Sequence, residues 1–131
     1  MAGAGKASLD LLRKLVADED NWEYYSQILV TMALAGGPEI GPELNTMLEK
    51  ELAFWKKTAP GLKGYWFTSP GPLARRYLKA FALLSSLSKR RFTGCRKTVT
   101  ELRDLWRSWP ELSKVGIAGA CDDTLNELPE K

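Results

Sequence analysis

Histidine is absent from the 131-residue sequence, and cysteine occurs only twice, at Cys95 and Cys121. Without an imidazole the chain lacks the most common general base and catalytic-triad member. A zinc site needs about four nitrogen or sulfur ligands, and the two cysteines form no CxxC pair. We therefore expect free thiols, no metal, no other cofactor and a non-catalytic function.

One catalytic alternative involves the thiol of Cys95, which has Arg91, Arg96 and Lys97 as sequence neighbours. Nearby cations stabilise a thiolate and lower the pKa of a thiol. This hypothesis predicts that iodoacetamide labels Cys95 faster than Cys121.

Long apolar runs are also lacking. The longest, Ile28 to Ala35, is far shorter than the roughly 18–20 residues that a membrane span requires. The first residues show no apolar segment of the kind found in a secretory signal. We expect a soluble, cytoplasmic protein without a transmembrane segment.

No stretch shows a convincing strand pattern, and apolar residues recur instead at helical spacings of three and four. The pattern predicts an all-α fold, an irregular bundle of about five helices with one long Gly/Pro/aromatic loop (58–72). The predicted helices cover about 8–17, 22–35 and 42–57, with two more that start near 72 and at 99. The predicted organisation is a flexible N-terminus (1–7), a single helical domain (8–115) and an acidic, loosely ordered C-terminal tail (116–131).

The start of the fifth predicted helix rests on a capping box. Thr98 and Glu101 have the spacing at which the threonine side chain bonds the amide three residues on and the glutamate bonds back. The prediction therefore begins this helix at Val99.

Charge is distributed unevenly along the chain. Residues 1–54 carry four basic and nine acidic side chains, whereas residues 75–107 carry ten basic and two acidic ones. Such segregation favours an anionic partner for the basic segment. The alternative is that the acidic N-terminal half folds back and neutralises it, and the sequence leaves both open.

The basic residues of the segment 75–107 are the candidate binding residues. On a helix that starts near 72, Arg75, Lys79, Ala82, Ser86 and Arg90 would share an outward stripe flanked by Arg76. About seven phosphate contacts would give a slope near −5 to −6 in a plot of log K against log salt. The candidates for nucleic-acid or anionic-partner binding are Arg75, Arg76, Lys79, Lys89, Arg90, Arg91, Arg96, Lys97, Arg103 and Arg107.

Tyr65, Trp66 and Phe67 lie in the middle of the predicted loop. They either pack over the bundle and hold the loop in place, or leave one or two rings exposed. An exposed ring would stack on bases or contact a partner.

Two non-catalytic functions follow. The first is binding of an RNA or DNA backbone with little sequence specificity. A sequence-reading helix–turn–helix motif fits poorly, because the connector between the fourth and fifth predicted helices is long. In addition, Glu101 and Asp104 lie on the helix that would have to read the bases. The second is a protein-interaction or assembly module, of a viral structural or matrix type or a phage or bacterial regulator. Its basic side would meet an acidic protein or an anionic membrane surface, and it could form a homo-oligomer.

Overall fold

The computed structural model describes residues 2–68 and 71–129, in which all regular structure is helical. The all-α prediction is confirmed, but these residues form six α-helices rather than five. Short 3₁₀ turns at 19–24, 37–39, 59–61 and 112–114 connect them. The helices are α1 (Ala2–Ala17), α2 (Tyr25–Ala35), α3 (Ile40–Thr58), α4 (Pro72–Lys89), α5 (Arg96–Ser108) and α6 (Ile117–Glu127).

The central element is α4, which packs against α2, α3 and α6. Its buried face contains Leu83, Leu84 and Leu87 together with small residues such as Ala74 and Ala80. Alanines and serines allow a neighbouring helix to approach closely. Helix α4 is therefore enclosed on several sides.

Aromatic side chains form the middle of the core. Trp55 of α3 and Trp106 of α5 are both fully buried, with ring centroids 5.2 Å apart and nearly perpendicular rings. Such edge-to-face pairs contribute about 0.5–1.5 kcal/mol beyond the burial of their area. The indole nitrogen of Trp106 donates to the carbonyl of Val115 at 2.9 Å. This hydrogen bond connects α5 to the chain just before α6.

The C-terminal segment differs from the prediction of a loosely ordered tail. Helix α6 packs against α5 and α4, and Ile117, Cys121 and Leu125 are buried on one side of it. These residues recur every four positions, so they line one face of a helix. Ala118 and Ala120 add contacts although they carry little apolar surface. The acidic composition of the segment had obscured this spacing.

Several helix ends also differ from the prediction. Helix α1 begins at Ala2, not at residue 8; of the predicted flexible segment 1–7, Met1 lies outside the described residues. Helix α5 begins at Arg96, with Cys95 at its N-cap and no side-chain cap. The predicted capping box is wrong because Thr98 lies inside the helix, where it is buried.

The long connection between α3 and α4 is shorter in its irregular part than the predicted loop 58–72. Thr58 still belongs to α3, residues 59–61 form a 3₁₀ turn, and Pro72 is the first residue of α4. Residues 62–68 are irregular, and residues 69 and 70 lie outside the described part of the chain.

Across the described ranges, no helix has both the length and the apolar character that crossing a bilayer would require.

Candidate nucleic-acid interface

The connector between α4 and α5 is held to the bundle by Phe92. This ring is buried and lies against Gly41 near the start of α3; a Cβ at Gly41 would lie only 2.7 Å from Phe92 Cδ1. Arg91 and Gly94 have φ values of 50° and 82°, in the left-handed region that non-glycine residues rarely adopt. The chain thus turns sharply on either side of the buried ring.

Four cations remain exposed around this anchor, and we call them the connector surface: Lys89, Arg90, Arg91 and Lys97. One Nη of Arg90 donates to the carbonyl of Leu34 at 3.0 Å, which leaves its other donors available. Arg91, 71% exposed, lies 3.7 Å from a carboxylate oxygen of Glu127. Exposed pairs of this kind contribute little free energy, so a phosphate could displace Glu127.

Arg90 and Arg91 also line a pocket of about 240 Å³ between the connector and the beginning of α3. Pro38, Gly41, Pro42, Phe92 and Thr93 complete its wall. A guanidinium presents donors in a planar fork that matches a phosphate. Two such groups at one small pocket are chemically suited to hold one phosphate group.

Arg96, another predicted binding residue, instead contacts the end of α6. Its Nη1 donates to the carbonyls of Leu125 at 2.8 Å and Leu128 at 3.1 Å, with Pro129 O at 3.5 Å. The last carbonyls of a helix have no partner within it and carry partial negative charge. Arg96 therefore caps α6, a structural role that the sequence reading missed.

Arg103 and Arg107, two further predicted binding residues, pair with an acidic side chain of α6. Nη1 of Arg103 lies 3.5 Å from Oδ1 of Asp122, and Nη2 of Arg107 donates to Oδ2 of the same carboxylate. Arg103 also contacts the adjacent Asp104 at 3.2 Å. Both arginines thus join α5 to α6, and their two charges are matched by Asp104 and Asp122 together.

The predicted outward stripe of α4 is wrong for most of its length. Ala82 and Ser86 are buried because α2 and α6 cover them, and Ser86 donates to the carbonyl of Leu83 within its own helix. Three cations in the first half of the helix lie over aromatic rings of other elements. Arg75 is 6.0 Å from the ring of Trp22, Arg76 is 4.1 Å from Phe54 and Lys79 is 5.7 Å from Tyr25.

Arg76 and Lys79 flank a carboxylate that the sequence analysis did not single out. Glu51 of α3 is 2% exposed, and Nε of Arg76 donates to it at 3.0 Å. Burial raises the pKa of Glu51, while the charge of Arg76 acts in the opposite direction. The sequence position of Glu51 indicates that it is buried, because it falls three residues after Leu48 and four before Trp55, on the apolar side of α3.

The aromatic loop is mostly packed against the bundle. Trp66 donates its indole N–H to the carbonyl of Glu111 at 2.9 Å, and its ring lies 5.5 Å from that of Trp55. Tyr77 donates to the carbonyl of Phe67 at 3.1 Å. Of the three loop rings, only Tyr65 is largely exposed, at 83%. Among the three residues that the sequence offered for stacking on a base, only this side chain is therefore accessible.

The prediction of an activated Cys95 thiol is wrong. Cys95 and Cys121 are both free and both buried. Burial raises the pKa of Cys95 to about 11 and that of Cys121 to about 12. The cations adjacent in sequence do not lower the thiol pKa, because Arg91 is exposed and Arg96 points to α6.

No family model, curated protein or solved structure matches the chain.

Proposed function

We propose that the chain is a non-catalytic nucleic-acid-binding protein that contacts the phosphate backbone through the connector surface. The observation that carries this proposal is the group of four exposed cations at 89–91 and 97, two of which line a pocket of about 240 Å³. Among the described residues, the only acidic partner of these four is the weakly bound Glu127.

Little sequence specificity is expected. Lysine and arginine contacts to phosphates position a protein on nucleic acid without reading base edges. The acidic side chains of α5, Glu101 and Asp104, are exposed and would repel phosphates along that helix. Tyr65 is the one loop ring with a free face on which an unpaired base could stack.

The salt dependence follows from the number of free cations. Four phosphate contacts give a slope of about −3 to −4 in log K against log salt, taking about 0.7–0.9 per contact. The slope of −5 to −6 expected from the sequence requires about seven contacts. Arg76, Arg96, Arg103 and Arg107 are already engaged within the fold.

The first prediction concerns the connector surface. Replacing Lys89, Arg90, Arg91 and Lys97 together by Ala is expected to abolish binding of a fluorescein-labelled 20-nucleotide RNA, measured by anisotropy at 50 mM salt. Lys14, Lys56, Lys57 and Lys63 are likewise exposed lysines without an ion pair in the described structure. Their fourfold Ala variant is the matched control, since both variants change the net charge from +3 to −1.

Binding that is lost in the connector variant and retained in the control supports the proposal. Equal loss in both would show that only net charge matters, and it would contradict a defined surface. Arg96 is left intact in this experiment because its replacement would disturb α6.

An acidic protein surface is a second candidate partner, favoured by one observation. Leu34 is 54% exposed and lies directly beside Arg90, which donates to its carbonyl. An apolar side chain next to cations is typical of protein interfaces. Capture of a partner that survives both nuclease treatment and 500 mM salt would favour this candidate over nucleic acid.

A further inference from the structure

A larger pocket, of about 460 Å³, lies where α1, α3 and α4 meet. Its volume falls within the range of about 300–1,000 Å³ that is typical of small-molecule sites. It shares no lining residue with the connector surface.

The carboxylates at this pocket already have partners. Glu43 receives two hydrogen bonds from Arg13, from Nε to Oε2 and from Nη2 to Oε1, both at 2.8 Å. Glu51 receives Nε of Arg76 at 3.0 Å. Both carboxylates of the wall are thus already paired with an arginine.

Donors, by contrast, remain available. In the part of the chain that the structure describes, Arg76 makes hydrogen bonds only through Nε, so Nη1 and Nη2 are left over. The ammonium of Lys79 lies 5.7 Å from the ring of Tyr25 and has no hydrogen bond or ion pair there. Lys50, at the same pocket, is exposed.

Lys79 is the most informative of these cations. It is half-buried, and burial lowers the pKa of its ammonium. A desolvated ammonium without a hydrogen-bond acceptor is unfavourable. An anion bound at the pocket would supply a charged acceptor for this ammonium.

The remaining wall is apolar. Val16 of α1 and Met32 of α2 are buried, and Met47 of α3 is half-buried at the pocket. Methionine side chains adapt to ligands of irregular shape. A ligand that fits both parts of the wall has an apolar body and an anionic head.

We propose that this pocket binds a small organic anion with an aliphatic or aromatic body, and that Lys79 and the free Nη groups of Arg76 hold its anionic head. A carboxylate and a phosphate monoester are the two head groups with this chemistry. Arginine forms two parallel hydrogen bonds with either one, and the apolar body contacts Val16, Met32 and Met47.

The test compares ligands that share a body and differ in head group. Hexanoate, hexyl phosphate and hexylamine are titrated into the wild-type protein, and binding is followed by calorimetry and by amide chemical shifts around Thr46 and Lys79. At least one of the two anions is expected to bind, and the stronger identifies the head group. Hexylamine, which has the same apolar body, is expected not to bind.

Lys79→Met removes the ammonium and keeps an unbranched side chain. The variant loses the charge-assisted hydrogen bond between Lys79 and the anion. The loss of such a bond is expected to weaken anion binding about ten- to a hundredfold. Lys57→Met is the matched control, because Lys57 is exposed and lies outside both the pocket and the connector surface. This variant is expected to bind the anion as tightly as the wild type does. Met47→Trp, which fills the pocket, is expected to abolish binding.

Binding of hexylamine as tight as that of the anions would overturn the proposal, as would the absence of binding by either anion at 10 mM. Unchanged anion affinity in Lys79→Met would overturn the role of Lys79. The wild-type comparison decides the anion preference even if a variant fails to fold.

Discussion

Glu51 shows how a single buried residue can depend on a partner from another helix. Its carboxylate is buried between α3 and α4, and Nε of Arg76 donates to it at 3.0 Å. The guanidinium of Arg76 in turn stacks 4.1 Å from the ring of Phe54. Replacing one partner of a buried ion pair leaves an uncompensated charge, which costs about 3–5 kcal/mol.

Arg76→Ala is therefore expected to destabilise the protein much more at pH 8 than at pH 5. The pKa of folded-state Glu51 is raised by burial, so its contribution to stability is present below the unfolded pKa and is lost as the pH rises through the folded pKa. Without Arg76 this loss becomes larger, whereas a protonated Glu51 tolerates burial. Urea unfolding of wild type and variant at the two pH values measures the difference.

The control is the double variant Arg76→Ala with Glu51→Gln, in which the group that titrates has been removed. Its destabilisation should be nearly the same at pH 5 and pH 8. A single variant equally destabilised at both values would mean that Glu51 is not responsible.

The two thiols provide another prediction at individual side chains. Cys95 and Cys121 are 1% and 0% exposed, and burial raises the pKa of both. Iodoacetamide at pH 8 is expected to label neither thiol in the native protein and both in 6 M urea, as read by mass spectrometry. Rapid native labelling of Cys95 would contradict the burial and restore the hypothesis of an activated thiol.

Among the helices, α4 differs most from its sequence prediction. The apolar spacing through Tyr77, Phe81 and Leu84 predicts one inward face and one outward face, and that pattern located the helix. Alanine and serine are compatible with either a surface or a close helix contact, so Ala82 and Ser86 could not be placed by pattern alone. They are buried because α2 and α6 both pack on α4.

Helix α6 is stabilised at its end by the side chain of another helix. Arg96→Met keeps the aliphatic stem but removes the hydrogen bonds to Leu125 O and Leu128 O. Loss of these charge-assisted bonds is expected to lower the free energy of unfolding by about 1.5–3 kcal/mol. Urea unfolding measures this change, and hydrogen exchange at the last turn of α6 should become faster.

Lys97→Met is the neighbouring control, because Lys97 is exposed and has no ion pair within the described ranges. Such a surface change is expected to alter stability by less than about 0.5 kcal/mol. If Arg96→Met were as stable as this control, the capping role of Arg96 would be wrong.

The molecule as a whole neutralises part of its basic segment. The sequence left open whether the acidic N-terminal half would do this. The described structure shows Glu51 of that half paired with Arg76, but the C-terminal segment contributes more, through Asp122 and Glu127. Arg75 and Lys79 lie over aromatic rings, and the exposed cations that remain form the connector surface, which is smaller than the ten-residue surface that the sequence predicted.

The all-α class could be predicted from the sequence because helical periodicity is a local property, visible in spacings of three and four residues. The positions of most helices followed from the same spacing together with Pro and Gly. Lys89, Arg90, Arg91 and Lys97 are four of the ten candidate binding residues, and they are exposed at the end of α4, in the connector and at the start of α5.

The pairing of charges was decided only by the tertiary structure. Arg96 meets α6 across 29 residues of sequence, and Arg76 meets Glu51 across 25. No local pattern encodes such contacts, because they exist only once several helices have packed around α4. The same packing created the pocket between α1, α3 and α4, whose wall comes from segments that are far apart in the chain. Local spacing thus determined which segments are helical, and long-range packing determined which of their charges remain available to a partner.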